Sequence, residues 1–201
     1  MGESALAGAG TDPTFSVKEA TARVVLSLKS WVPSQVSELP PLAGIRLPGA
    51  VGTVTEGVPR VLCTAPGEWL LIHAPSSVAP LRAALAAQLE SRGLALVEVT
   101  QGLAALEVSG AGAAQILGSG CGLDFDPARF AQDQCVRTRF AQLAIVIDCI
   151  EAGRCYVLYV PRSYAAYLRE WLADAAQGID AQGGGANTPV APGVPQGGCA
   201  S

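Results

Sequence analysis

The apolar and polar positions of this chain change period several times, and each change marks an element. Residues 23–28 alternate and are rich in β-branched side chains, which predicts a strand. Residues 33–57 are broken by Pro33, Pro40, Pro41, Pro48 and several glycines, the pattern of a long loop with a short strand at 51–54. Residues 61–63 and 68–73 flank Ala65-Pro66-Gly67, a turn signal between two short strands. Residues 78–90 read as a helix: Ser76 or Ser77 caps it, Pro80 falls in its first turn, and Gly93 ends it. Val78, Leu81, Leu85 and Leu89 place one apolar stripe along that helix.

Residues 94–100 and 103–109 are expected to form a hairpin around Gln101-Gly102, followed by a short helix at 111–118. Residues 134–140, 143–150 and 155–160 read as three consecutive strands. Residues 163–176 close the pattern as a helix whose Tyr164, Tyr167, Leu168, Trp171 and Leu172 fall on one face. This order does not suit a doubly wound parallel sheet. It suits an α+β fold of mixed, mainly antiparallel sheets with helices on one side, internally pseudo-duplicated. Residues 1–14 are small and polar, and residues 178–201 form a Gly/Pro-rich tract. Both ends are therefore expected to be disordered, around one domain at 15–177.

Composition narrows the function classes. Of 201 residues, 50% are apolar and 15% charged, too apolar for disorder over most of the chain. The net charge is −4, and the basic residues are eleven arginines with Lys18 and Lys29, in no block. Residues 15–177 hold all thirteen basic side chains and fourteen acidic ones, so that part is near −1. No field is available to hold nucleic acid or anionic lipid. No apolar run approaches the ~20 residues of a membrane span. The first residues lack the basic and apolar regions of a signal peptide, and Leu6 stands where myristoylation prefers Ser or Thr. A cytoplasmic protein without a membrane partner is expected.

The six cysteines form no C-x-x-C pair and there is one histidine, so neither a metal site nor a disulfide framework is expected. Reduced, mostly buried thiols fit better, with Cys199 exposed in the tail. Ser109-Gly110-Ala111-Gly112-Ala113-Ala114-Gln115 invites a dinucleotide-binding reading, but Gln115 stands where the fingerprint needs a small residue. A plain strand–turn–helix corner is the better reading. His73 ends a strand and is expected at the surface, and no G-x-S-x-G is present to make it a triad base. Asp124 and Asp126 lie in Leu-Asp-Phe-Asp-Pro, a turn that caps the next segment. No catalytic residue, bound cofactor or metal is expected on this chain.

Three segments nevertheless carry a resemblance. Ala65-Pro66-Gly67-Glu68-Trp69-Leu70-Leu71 is the first. The second begins with Leu106-Glu107-Val108-Ser109-Gly110. It continues through Gly120-Cys121-Gly122-Leu123-Asp124-Phe125-Asp126-Pro127 and Phe130 to Cys135-Val136-Arg137-Thr138-Arg139-Phe140. The third is Leu158-Tyr159-Val160-Pro161-Arg162-Ser163-Tyr164-Ala165-Ala166-Tyr167-Leu168, reaching Trp171-Leu172. In order and spacing they resemble the gamma subunit of heterotetrameric, tetrahydrofolate-linked sarcosine oxidase, over roughly residues 23–172. Gly122 departs from a position where that family often has Pro. Residues 33–57 and the tail match none of its motifs, and Glu56 is not convincingly the acid that aminomethyltransferases use.

The resemblance implies a fold like the folate-binding domain of glycine-cleavage aminomethyltransferase. It also implies a non-catalytic subunit beside alpha, beta and delta partners that hold FAD, FMN, NAD and tetrahydrofolate. The complex would demethylate sarcosine oxidatively to glycine and pass the one-carbon unit to tetrahydrofolate. The alternative is a free-standing folate-binding one-carbon transfer or iron–sulfur-assembly protein of the same fold. Alternation puts Val136, Thr138 and Phe140 on one face of their strand and Cys135, Arg137 and Arg139 on the other. Arg137 and Arg139, with Arg162, are the candidate contacts to a neighbouring subunit, because a guanidinium fork pairs bidentately and dehydrates readily.

Overall fold

The computed structural model describes residues 15–20, 23–31 and 41–183. The expectations for 1–14, for the loop at 33–40 and for 184–201 lie outside the described residues. Among the described residues ten strands and three α-helices follow one another. The strands are β1 Ser16–Glu19, β2 Val24–Ser30, β3 Val54–Thr55, β4 Arg60–Ala65 and β5 Glu68–His73, then β6 Leu94–Glu98, β7 Leu103–Ser109, β8 Cys135–Phe140, β9 Leu143–Glu151 and β10 Cys155–Pro161. The helices are α1 Val78–Leu89, α2 Ala113–Gly120 and α3 Ala165–Gly183, the last running past residue 177.

Two five-stranded sheets result, ordered β1-β7-β10-β9-β8 and β3-β4-β5-β2-β6, and every pairing is antiparallel. The orders correspond, with β1 beside β7 as β6 is beside β2. This is a likeness of strand order and does not by itself show a duplicated sequence.

Alternation along the strands divides the core into three layers. Leu106, Phe140, Ile145, Ile147, Tyr156 and Leu158 point out of the first sheet onto α2 and α3. Leu26, Leu28, Val61, Trp69 and Leu71 point out of the second onto Leu85 of α1. The remaining faces, with Val25, Leu62, Leu70, Cys135, Val146, Val157 and Tyr159, meet between the sheets. The architecture is helices, sheet, sheet, helix, each sheet carrying helices on one side. Each fully buried apolar side chain contributes roughly 1.5–3 kcal/mol.

The hairpin expected at 94–109 does not form. β6 pairs with β2, whereas β7 lies between β1 and β10 in the other sheet. The reason is burial: β7 hides Ala104, Ala105, Leu106 and Val108 on both faces, which requires a central position, while β6 turns half-exposed residues to an edge. The link between them is tied back to β2, where the Val25 N–H donates to the Thr100 hydroxyl at 3.0 Å. At the opposite end the strand expected at 51–54 is reduced to β3, and residues 52–54 stitch the sheets together. The Gly52 N–H donates to the Cys63 carbonyl at 2.9 Å, and the Cys135 N–H to the Gly52 carbonyl at 2.8 Å. Gly52 holds φ +86, a left-handed conformation that favours glycine.

On α3, Leu168 and Leu172 are buried and Trp171 packs beside them, but Tyr164 and Tyr167 are half-exposed. Tyr164 belongs to a 3-10 turn at Arg162–Tyr164 that precedes the helix and carries it off the expected face. The ring of Phe140 meets Trp171 edge-on at 4.9 Å and also abuts Gly120 at the end of α2, where an added Cβ would overlap it. Gly120→Ala should therefore lower the stability of the chain by about 1–3 kcal/mol, the cost of overpacking a filled core. Urea denaturation checks this, and an unchanged midpoint would mean that the Phe140 ring yields freely.

Candidate functional site

A largely buried ion pair lies where the two sheets face each other. Strand β4 turns Val61 and Cys63 to α1, so Arg60 and Leu62 point at the opposite sheet. Strand β9 turns Ile145, Ile147 and Cys149 to α2 and α3, so Asp148 points back between the sheets and is 0% exposed. Arg60 Nε donates to Asp148 Oδ2 at 3.0 Å and Nη2 to Oδ1 at 2.8 Å, a bidentate pair. Nη1 donates to Asp133 Oδ1 at 2.8 Å, and Nη2 also reaches the Cys149 carbonyl at 3.2 Å. Burial works against the Arg60 charge, but the bonds and fields of Asp148 and Asp133 outweigh it and hold the guanidinium above its ordinary value. Burial pushes the Asp148 carboxyl up, against the pull of Arg60 and Arg23.

Arg23, just before β2, lines two cavities. One, of about 160 Å³, is bounded by Arg23, Val25, Gln101, Ala105, Tyr159 and Arg162 among others. The second, of about 220 Å³, is bounded by Arg23, Val58, Ile72 and His73. His73 is buried rather than at the surface, because β5 lies between β4 and β2; its Nδ1 lies 2.9 Å from the Ala74 carbonyl oxygen.

The candidate interface arginines fall at two places. Arg137 and Arg139 lie exposed on the edge strand β8, where alternation buries Phe140 as expected. Their face is turned toward the second sheet: Cys135 is buried there, and Arg137 Nη2 donates to Glu68 Oε2 at 2.9 Å and to the Thr64 hydroxyl at 3.2 Å. Burial raises the Glu68 carboxyl, but Lys29 and Arg137 together bring it below its ordinary value. Arg139 Nη2 reaches Gln142 Oε1 at 3.2 Å. Arg162 stands at the other end of β10, donating to the carbonyls of Leu103 at 2.7 Å and Gln101 at 3.0 Å.

The Ser109–Gln115 corner and the Asp124–Asp126 turn are where the sequence put them. Ser109–Gln115 is a strand–turn–helix corner, and β7 has no parallel neighbour of the kind a dinucleotide fold requires. Asp124 Oδ1 accepts from the Asp126 N–H and Asp126 Oδ1 from the Ala128 N–H, so both are turn caps. Among the described residues no three His, Cys, Asp or Glu side chains cluster as metal ligands, and no helix is long and apolar enough to cross a membrane. Cys63, Cys121, Cys135, Cys149 and Cys155 are free thiols. Burial, reinforced by the nearby Asp148 charge, pushes Cys135 and Cys149 each up to about 12.

Sequence reasoning passed over Arg23, Arg60, Asp133, Asp148 and Tyr159. One signal was available: Asp148 is the single charge inside Ile145-Val146-Ile147-Asp148-Cys149-Ile150, and a charge there must find a buried partner.

A family model described as "Sarcosine oxidase, gamma subunit family" matches residues 33–178, including the 33–57 stretch that carries none of the motifs. No curated protein matches the chain by sequence. Among solved structures, heterotetrameric sarcosine oxidase from Corynebacterium sp. U-96 in complex with pyrrole 2-carboxylate is similar over 82% of this chain and 85% of that one. The TM-score is 0.67 and the identity 21%. Glycine cleavage system aminomethyltransferase T from Bartonella henselae is similar over 79% of this chain with TM-score 0.58 and 13% identity. The match takes in only 45% of the transferase chain, so the likeness is one of fold over part of its length.

The inter-sheet thiols should be inert in the folded chain, because the thiolate is the reactive form and burial suppresses it. Iodoacetamide at neutral pH, followed by peptide mass spectrometry, should modify Cys135 and Cys149 only after denaturation. Modification of either in the native chain at the rate of an exposed thiol would contradict this.

Proposed function

This chain belongs to the sarcosine oxidase, gamma subunit family, and from that premise we propose that it is a non-catalytic subunit of a flavin-dependent oxidase complex. The observation that carries the reading is the family match over residues 33–178, which takes in β3 to β10, α1, α2 and most of α3. In this reading alpha, beta and delta partners hold FAD, FMN, NAD and tetrahydrofolate. The complex removes the N-methyl group of sarcosine oxidatively to leave glycine, in the cytoplasm, and passes the one-carbon unit to folate. The present chain braces the assembly.

The space between the sheets supports a bracing role. It is occupied by the Arg60–Asp148 pair and by apolar side chains, and the cavities beside it measure about 160 and 220 Å³. Pockets that enclose drug-sized ligands run to roughly 300–1,000 Å³, and a pterin with its glutamyl tail belongs in that range. Arg137 and Arg139, on an open sheet edge, and Arg162 are the side chains proposed to reach a partner while keeping their bonds within the chain. Cation-rich edges of this kind pair with partner carboxylates or carbonyls.

Affinity purification of the tagged full chain from its own host tests the reading. It should emerge colourless itself, in a stoichiometric complex with subunits that carry flavin absorbance and oxidise sarcosine. A lone chain that transfers a one-carbon unit from a folate donor would overturn it and favour the free-standing transferase.

A further inference from the structure

We propose that the cavity between Tyr159, Arg23 and Gln101 is a binding site for a small monocarboxylate. The first observation is the Tyr159 hydroxyl. Its side chain is 2% exposed, lines this cavity, and its hydroxyl is the buried side-chain polar atom left without a hydrogen-bond partner among the described residues. Such a group destabilises the fold by its desolvation, and phenylalanine would fill the same apolar seam without that cost. Burial also pushes the phenol up to about 12, so it stays protonated as a donor.

The second observation is the charge around it. Arg23 meets Glu107 at a loose 3.5 Å, and its charge also acts on the Tyr159 hydroxyl and on Asp148, so it stands beside the phenol with its forked donors only loosely engaged. Glu19, on the same cavity wall, is claimed twice, by Arg162 at 3.4 Å and by Arg169 at 3.2 Å. Arg162 is committed to the carbonyls of residues 100, 101 and 103, and so it fixes the cavity wall. Arg23 is the cation available to a ligand.

The third observation is shape. Val25, Leu103 and Ala105 supply an apolar lining beside the phenol. The volume of about 160 Å³ matches the ~150 Å³ at which an apolar cavity holds a benzene-sized guest. A carboxylate with a short tail fits these features: it accepts from the Tyr159 hydroxyl, pairs with the forked donors of Arg23, and buries its carbon atoms against the aliphatic wall.

The test uses the full 201-residue chain and propionate as the probe, with propionamide as its neutral counterpart, at constant ionic strength. Binding is followed by NMR chemical shifts. Propionate should saturate at millimolar concentration, with shifts centred on Tyr159, Gln101 and Ala105. Propionamide should bind at least about tenfold more weakly, as loss of a charged hydrogen bond implies. Tyr159→Phe should also weaken propionate by about tenfold or more, while its melting temperature stays at or above that of the parent chain. Arg23→Gln should do likewise, and Arg23→Lys should restore part of the affinity. If Arg23→Gln fails to fold, Tyr159→Phe decides. Equal response to propionate and propionamide, no saturation, or full affinity in Tyr159→Phe would mean that the cavity holds water only and would overturn the proposal.

Discussion

A largely buried guanidinium ties the two halves of this molecule together. Arg60 leaves the first position of one strand and meets Asp148, fully buried in the opposite sheet, through two parallel hydrogen bonds of 2.8 and 3.0 Å. A buried carboxylate is tolerable only with its charge met and its lone pairs filled, and the desolvation of both ions consumes much of the attraction. The pair therefore acts chiefly on geometry. It admits one mutual position of the sheets, the one that brings Asp133 and the Cys149 carbonyl onto the same guanidinium. The backbone stitch at Gly52 and Cys135 and the Val25–Thr100 bond lie at other points of the same contact and repeat the constraint.

The sequence revealed elements better than it revealed neighbours. Strands β8, β9 and β10 were legible because each is a long β-rich run bounded by turns, and α3 because Leu168, Trp171 and Leu172 repeat at helical spacing. Strand β1 was missed, since its four residues Ser-Val-Lys-Glu carry too little apolar pattern to stand out. The supposed hairpin at 94–109 failed for a different reason. Local turn chemistry says that a chain bends at Gln101-Gly102, but not whether the next strand pairs backward or crosses to another sheet. That choice was set by β7, which needs neighbours on both edges.

The site was less legible still. Arg60 and Asp148 are 88 positions apart, and no period or motif pairs them. Arg137, Arg139 and Arg162 were visible as cations, yet their partners Glu68, Gln142 and the carbonyls of Gln101 and Leu103 come from other strands or from turns. Tyr159 looked like one more core aromatic until its hydroxyl was placed in three dimensions. Family membership was legible because it rests on local strings such as Gly67-Glu68-Trp69-Leu70-Leu71, whose Trp69 fills the core under α1 and donates its indole N–H to the Pro48 carbonyl at 2.9 Å. Motifs that serve packing survive in sequence as readable text; contacts between distant strands do not.

If the inter-sheet pair is the constraint on which the architecture depends, a double-mutant cycle on Arg60 and Asp148 measures it directly. Arg60→Met leaves Asp148 buried without its partner and should cost about 3–5 kcal/mol in urea denaturation, whereas Asp148→Leu should cost less, because Arg60 keeps Asp133. The double variant removes both charges and should lose far less than the two single losses combined. Single losses below about 1 kcal/mol that simply add would contradict the account. The sheets would then be held by their apolar faces alone.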